Sequence, residues 1–73
     1  MAAAEAFGQI VRRSRKRLGL SQEELAERCG LHRNAIGLIE RGERSPNIET
    51  LIAIAKGLGV RPSQLVAQLE RAL

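Results

Sequence analysis

Residues 32–38 combine side chains that donate and accept hydrogen bonds with apolar ones. Arg33 can donate two parallel hydrogen bonds to O6 and N7 of guanine, and Asn34 can pair bidentately with N6 and N7 of adenine. Ala35 and Leu38 are apolar groups of the kind that contacts a thymine methyl. Each well-formed bidentate pair discriminates against a wrong base by about 1–3 kcal/mol. Such reading requires a rigid element that presents these side chains to a groove.

The charge balance favours a polyanionic partner. The chain has 12 Lys and Arg residues against 8 acidic residues, all of them Glu, which gives a net charge of +4 and a pI of about 10.6. Five cations fall within six residues, at Arg12, Arg13, Arg15, Lys16 and Arg17. Such a cluster either solvates a helix face or contacts phosphate directly, and the sequence leaves both open. Long-range attraction to nucleic acid follows in either case.

Catalysis and metal binding find few partners in this composition. The chain has no Asp, and Cys29 and His32 are each the single residue of their type. A catalytic triad, a metal centre or an internal disulfide therefore lacks the partners it needs. We expect a binding protein with no enzymatic activity, metal, cofactor or small-molecule ligand. Cys29 is interpreted as a small core residue rather than as a redox-sensing thiol.

Length limits the architecture to one small domain, residues 1–73. The core of such a domain is small, so self-association is a natural source of further stability. The charge-free stretches are too short to cross a membrane, and the N-terminus lacks the pattern of a secretory signal. We expect a soluble, cytoplasmic, nucleoid-associated protein.

Glycine and proline divide the chain into five segments whose apolar residues recur with the helical period. The predicted helices cover about residues 4–18, 22–29, 33–41, 48–58 and 62–73, so the predicted fold class is all-α. On the first helix, the predicted inward face consists of Phe7, Val11, Ser14 and Leu18. The fourth helix is the most apolar, with Ile48, Leu51, Ile52, Ile54, Ala55 and Leu58.

The second and third predicted helices have the spacing of a helix-turn-helix. Ala26 allows the two helices to approach closely, and Gly30 supplies the positive φ of the turn. Ile36 and Ile39 fill the crossing between the helices.

Longer motifs extend this pattern over most of the chain. They are GLSQEELA at residues 19–26, IERG at residues 39–42 and LIAIA at residues 51–55. With them, residues 7–65 resemble the Cro and phage-repressor helix-turn-helix family, also called the xenobiotic-response-element family. The resemblance implies a compact five-helix lambda-repressor-like domain whose third helix lies in the DNA major groove. Residues 66–73 extend the last helix beyond the family core.

The resemblance also implies the roles of individual residues. The implied base-reading positions are Arg33, Asn34, Ala35 and Leu38. The implied contacts to the DNA backbone are Ser21, Gln22, His32, Arg41, Arg44, Ser45 and Asn47. Arg15 and Glu40 are implied to form a structural ion pair. The chain departs from the usual family pattern at Ser14, at His32 and at Gly37, where the recognition helix loses a side chain.

Together these features predict a sequence-specific regulator of transcription, either a repressor or an activator that touches polymerase. We expect a homodimer whose recognition helices bind two half-sites of an inverted repeat of double-stranded DNA, about 34–36 Å apart. The predicted dimer contact is the terminal apolar stripe of Leu65, Leu69 and Leu73. Small stand-alone relatives in this family include restriction–modification controllers and antitoxins. The alternative is a protein-interaction module, an antitoxin or adaptor that holds a toxin or another protein with this stripe.

Overall fold

The computed structural model describes residues 2–73, which form five α-helices and no strand. The helices are α1 (Ala3–Arg17), α2 (Gln22–Cys29), α3 (Arg33–Glu40), α4 (Ile48–Leu58) and α5 (Pro62–Ala72). The predicted all-α class and the five helices are confirmed, and each boundary agrees within about one residue. None of these helices is both long enough and apolar enough to cross a membrane.

Short polar side chains determine where α2 and α4 begin. Ser21 Oγ accepts a hydrogen bond from the backbone N–H of Glu24 at 3.0 Å, and Glu24 Oε1 accepts one from the backbone N–H of Ser21 at 2.8 Å. This reciprocal capping box satisfies two donors at the start of α2. Asn47 Oδ1 accepts from the backbone N–H of Thr50 at 2.8 Å and caps α4 in the same manner.

The core draws apolar side chains from all five helices. Its largest fully buried members are Ile10, Val11, Leu25, Ile36, Ile39, Ile54 and Leu65. On α1 the inward face contains Phe7 and Val11, as predicted, but the prediction for Leu18 is wrong, since that side chain is exposed. The buried face of α1 ends at Arg15. Leu18 is the C-cap residue, about one turn further along, and lies beyond the core. Ser14 is half-buried.

Two glycines inside helices bring pairs of helices into backbone contact. A Cβ on Gly8 of α1 would collide with the carbonyl oxygen of Ile39 and would lie 2.7 Å from that of Glu40, at the end of α3. A Cβ on Gly57 of α4 would collide with Sγ of Cys29 on α2. Helix α1 thereby packs against the C-terminal end of α3, and α4 packs against the C-terminal end of α2.

Candidate nucleic-acid interface

Helices α2 and α3 are joined by a turn of three residues. Gly30 adopts the left-handed conformation with φ +70°, which a residue without a Cβ adopts at little cost. The backbone N–H of Leu31 then donates to the carbonyl of Ala26 at 2.9 Å and closes the turn. His32 caps α3, because its Nδ1 accepts a hydrogen bond from the backbone N–H of Asn34 at 3.2 Å. A neutral imidazole in this arrangement carries its proton on Nε2, which can donate to a phosphate oxygen.

A buried ion pair ties α1 to the end of α3. Arg15 Nε lies 2.6 Å from Glu40 Oε2, and Arg15 Nη2 donates to Glu40 Oε1 at 3.0 Å. The remaining nitrogen, Nη1, donates to the carbonyl of Leu20 at 2.8 Å. The hydrogen bond to Glu40 raises the pKa of Arg15, against the opposing effect of burial, so the guanidinium stays charged.

Gln22 connects the same carboxylate to α2. Its Nε2 donates to Glu40 Oε1 at 3.0 Å. One buried carboxylate therefore contacts side chains from both α1 and α2 while it sits on α3. A network of this kind fixes the angle between the helices of the motif, because each of its hydrogen bonds is directional.

Most of the residues predicted to face DNA lie around one concavity between α2 and α3. Those that line it are Ser21, Gln22, Arg33, Asn34, Leu38 and Arg41. Among the predicted base-reading residues, Arg33 and Asn34 are exposed at the start of α3, whereas Ala35 and Leu38 are half-buried. Ala35 does not line the concavity.

The remaining predicted backbone contacts lie outside this concavity. His32 lines a neighbouring hollow together with Arg33 and Glu27. Arg44, Ser45 and Asn47 are exposed in the loop between α3 and α4. These three residues follow α3 in the chain, and their contact with the DNA backbone stays a prediction.

The structure adds two acidic residues that the sequence analysis missed. Arg33 Nη1 lies 3.8 Å from Glu23 Oε2, and Arg41 Nε lies 2.8 Å from Glu43 Oε2. Both pairs are largely exposed, so they contribute little to stability. They do restrict where the two guanidinium groups point. The sequence could have indicated the pair of Arg41 with Glu43, because the two residues are only two positions apart. It could not indicate the pair of Glu23 with Arg33, which depends on how α2 and α3 cross.

The structure divides the predicted dimer stripe between the interior and the surface. Leu65 is fully buried in the core of its own domain, Leu69 is half-buried, and Leu73 is 69% exposed. Leu65 therefore has no surface with which to contact a second subunit. Helix α4 exposes Ile48 and Ile52. The sequence offered a signal for these two, because the seven Ile, Leu and Ala residues of this eleven-residue helix are too many to lie on one face.

Comparison with known proteins agrees with this geometry. A family model described as helix-turn-helix matches residues 11–65, which is more than half of the chain. The chain belongs to the helix-turn-helix family. It is 46% identical over 61 residues to control protein C.BamHI of Bacillus amyloliquefaciens, covering 82% of this chain and 75% of that protein. It is 44% identical over 64 residues to control protein C.SmaI of Serratia marcescens, covering 88% and 76%.

Solved structures extend the likeness to the whole architecture. The restriction-modification controller protein C.AhdI from Aeromonas hydrophila superimposes with a TM-score of 0.84 and 38% identity, over 89% of this chain and 98% of that one. The predicted resemblance and five-helix fold are thus confirmed. As a member of the helix-turn-helix family, the protein is a sequence-specific DNA-binding regulator of transcription.

Proposed function

We propose that the protein is a homodimeric regulator that binds an inverted repeat, with α3 of each subunit in the major groove, and that it controls the promoter of a restriction–modification system. The observation that carries the proposal is the exposed start of α3, with Arg33 and Asn34 beside a concavity framed by α2. The similarity to the control proteins C.BamHI and C.SmaI supports the choice of target. The role is one of binding and not of catalysis.

Base reading falls to the first turns of α3. Arg33 supplies a fork for guanine, and Asn34 supplies a donor and an acceptor for adenine. Leu38, half-buried at the same concavity, offers an apolar contact to a thymine methyl. Ala35 contributes through its small size, since it allows the helix backbone to come close to the bases.

Phosphate contacts hold the motif on either side of the groove. Ser21 and the backbone N–H of Gln22 lie at the N-terminus of α2, where backbone N–H groups attract anions, while the Gln22 side chain faces the concavity. His32 offers Nε2, and Arg44, Ser45 and Asn47 offer exposed donors after α3. These contacts set register and orientation and carry no sequence information of their own.

Dimerisation follows from apolar surface that the single domain leaves exposed. Ile48 and Ile52 on α4, Val66 on α5 and Leu73 directly after α5 are each at least 40% exposed. A second copy of the chain is the occupant that an inverted repeat requires, because a two-fold DNA site needs a two-fold protein. Leu69 and Leu73 belong to this contact, and Leu65 supports it from the core.

Selection of bound duplexes from a random pool tests the proposal. At about 150 mM salt, where electrostatic binding is already weak, we expect enrichment of an inverted repeat whose half-sites are one helical turn apart. Arg33→Ala and Asn34→Ala then weaken binding to the selected duplex far more than to random DNA. Arg44→Ala, the matched control in an exposed loop, weakens both by the same factor.

Two outcomes would contradict the proposal. Equal losses on both duplexes for all three variants would remove the base-reading assignment. The absence of any enriched sequence, with binding that vanishes as salt rises, would favour an interaction module that uses the exposed residues of α5.

A further inference from the structure

The side chain of Arg41 is more than half exposed, and its guanidinium lies back toward its own helix. Arg41 follows the last residue of α3, and its Nη1 lies 3.2 Å from the point that a Cβ of Gly37 would occupy. Gly37 is one turn earlier, in the middle of the recognition helix and at the floor of the concavity. A Cβ at position 37 would therefore press on the guanidinium in this position and displace it slightly. This placement differs from the role of phosphate contact that the family resemblance suggests.

Glu43 holds the guanidinium in this place. Its Oε2 lies 2.8 Å from Arg41 Nε, on the side-on edge of the guanidinium. Within the part of the chain that the structure describes, Arg41 makes its side-chain hydrogen bond through Nε alone. Nη1 and Nη2 form the end-on edge, whose two parallel N–H groups have the geometry that guanine O6 and N7 accept.

Gln22 presents an acceptor toward the same point. Its amide orientation is determined, because Glu40 carries a carboxylate and can only accept from Nε2. Oε1 is left to face the floor of the concavity, 3.6 Å from the position of a Cβ on Gly37. A donor pair from Arg41 beside an acceptor from Gln22 complements a G·C pair, in which guanine accepts and the cytosine N4 amino group donates.

We propose that Arg41, seated over Gly37 and held by Glu43, reads a G·C base pair together with Gln22. The inference rests on the proposed function, since it assigns one more specificity-determining position to the same DNA surface. Arg33 and Asn34 read from the start of α3, and Arg41 reads from its end. Gly37 is then the feature that makes room for the second arginine.

A panel of duplexes tests the assignment. We take the duplex that the wild type selects and replace each base pair of its half-sites in turn, symmetrically, with dissociation constants measured by fluorescence anisotropy at about 150 mM salt. For the wild type we expect loss of one G·C pair read by Arg41 to weaken binding by about 5- to 150-fold. Arg41→Gln removes that penalty and leaves the penalties at the other positions intact. Arg44→Gln, the matched control, weakens every duplex by one factor and keeps the penalty.

Gly37→Ala gives an independent test, because stability and specificity should move in opposite directions. A Cβ at this position displaces only the flexible end of Arg41, and alanine favours a helix interior over glycine. We expect the melting temperature to rise by several degrees while the penalty at the same G·C pair falls. A variant that is less stable, or one that keeps the full penalty, would overturn the role of Gly37.

The failures of the two proposals are distinguishable. If the wild type selects an operator but Arg41→Gln weakens all duplexes equally, with a salt slope smaller by about one, then Arg41 contacts phosphate and only this inference fails. If the wild type selects no sequence at all, the proposed function fails and this inference fails with it.

Discussion

Arg15 and Glu40 are 25 residues apart in the chain, and their side chains meet edge to edge with Nε 2.6 Å from Oε2. The pair joins α1, the helix that carries the arginine cluster, to the last residue of α3. Both residues are more than 90% buried, so water compensates either charge poorly if the other is removed.

Removing one partner of this pair should be far more damaging than removing both. We expect the single variants Glu40→Leu and Arg15→Met each to lower the free energy of unfolding by about 3–5 kcal/mol, because the remaining charge stays buried without a counter-ion. The double variant Arg15→Met with Glu40→Leu should lose less than either single variant. Urea denaturation of the four chains measures this cycle. Single losses that simply add in the double variant would contradict an electrostatic coupling.

Gly8→Ala should destabilise the fold by about 3 kcal/mol or more, since its Cβ meets backbone carbonyls at the end of α3 that cannot move aside. Thermal unfolding followed by circular dichroism measures the loss. Gly37→Ala is the matched control, because the same substitution there meets only the end of a side chain. Equal effects of the two substitutions would show that the close approach at Gly8 is unimportant.

The contact between Gly57 and Cys29 predicts a suppressor. Burial raises the pKa of the Cys29 thiol, so at neutral pH the group is protonated and packs as a neutral side chain against α4. We expect Gly57→Ala to cost about 1–3 kcal/mol through overpacking. Adding Cys29→Ala should restore most of that loss in urea denaturation, since it removes the colliding Sγ. A double variant no more stable than Gly57→Ala would place the strain elsewhere.

The capping box of α2 predicts a dependence on pH. Hydrogen bonds from the backbone and side chain of Ser21 lower the pKa of Glu24 from its ordinary value of 4.5. A lowered pKa in the folded state means that the contribution is present above pH 4.5 and is lost as pH falls through the folded value. The melting temperature of the wild type should therefore approach that of Glu24→Gln between pH 5 and about pH 3. A constant difference over this range would show that ionised Glu24 adds nothing.

The proposed dimer predicts linked losses of assembly and DNA affinity. Ile52 is 40% exposed on α4, and Leu69 is half-buried on α5. Ile52→Glu and Leu69→Glu should each raise the dissociation constant of the dimer by at least tenfold and weaken binding to the inverted repeat. Sedimentation equilibrium and anisotropy measure the two effects, and Lys56→Glu on an exposed part of α4 serves as the control. An unchanged dimer in both variants would remove these helices from the interface.

Local features of the fold were readable from the sequence because they depend on neighbouring residues. The capping pair of Ser21 and Glu24 and the turn at Gly30 act within a few positions, and both stand where they were predicted. The pairing of Arg15 with Glu40 came from the family resemblance alone, since 25 residues and two turns separate the partners. No periodic pattern carries information about such a contact.

The division of apolar residues between core and surface was harder to predict. Leu65 and Leu73 have the same residue type and share one helical stripe, yet one is fully buried and the other is 69% exposed. Periodicity identifies a stripe but does not say where the domain ends along it. The prediction that Leu18 is buried was wrong for the same reason, because the buried face of α1 ends before the helix does.

The two helices of the motif are eight residues long each. An isolated helix of fewer than about 12–15 residues is marginal in water, so the surface formed by α2 and α3 exists only while the whole domain is folded. Operator DNA that binds only the folded chain adds about 2.7 kcal/mol to the free energy of unfolding when its free concentration is 100 times the dissociation constant. A protease that degrades unfolded chains would thus remove copies that are not bound to DNA before bound ones.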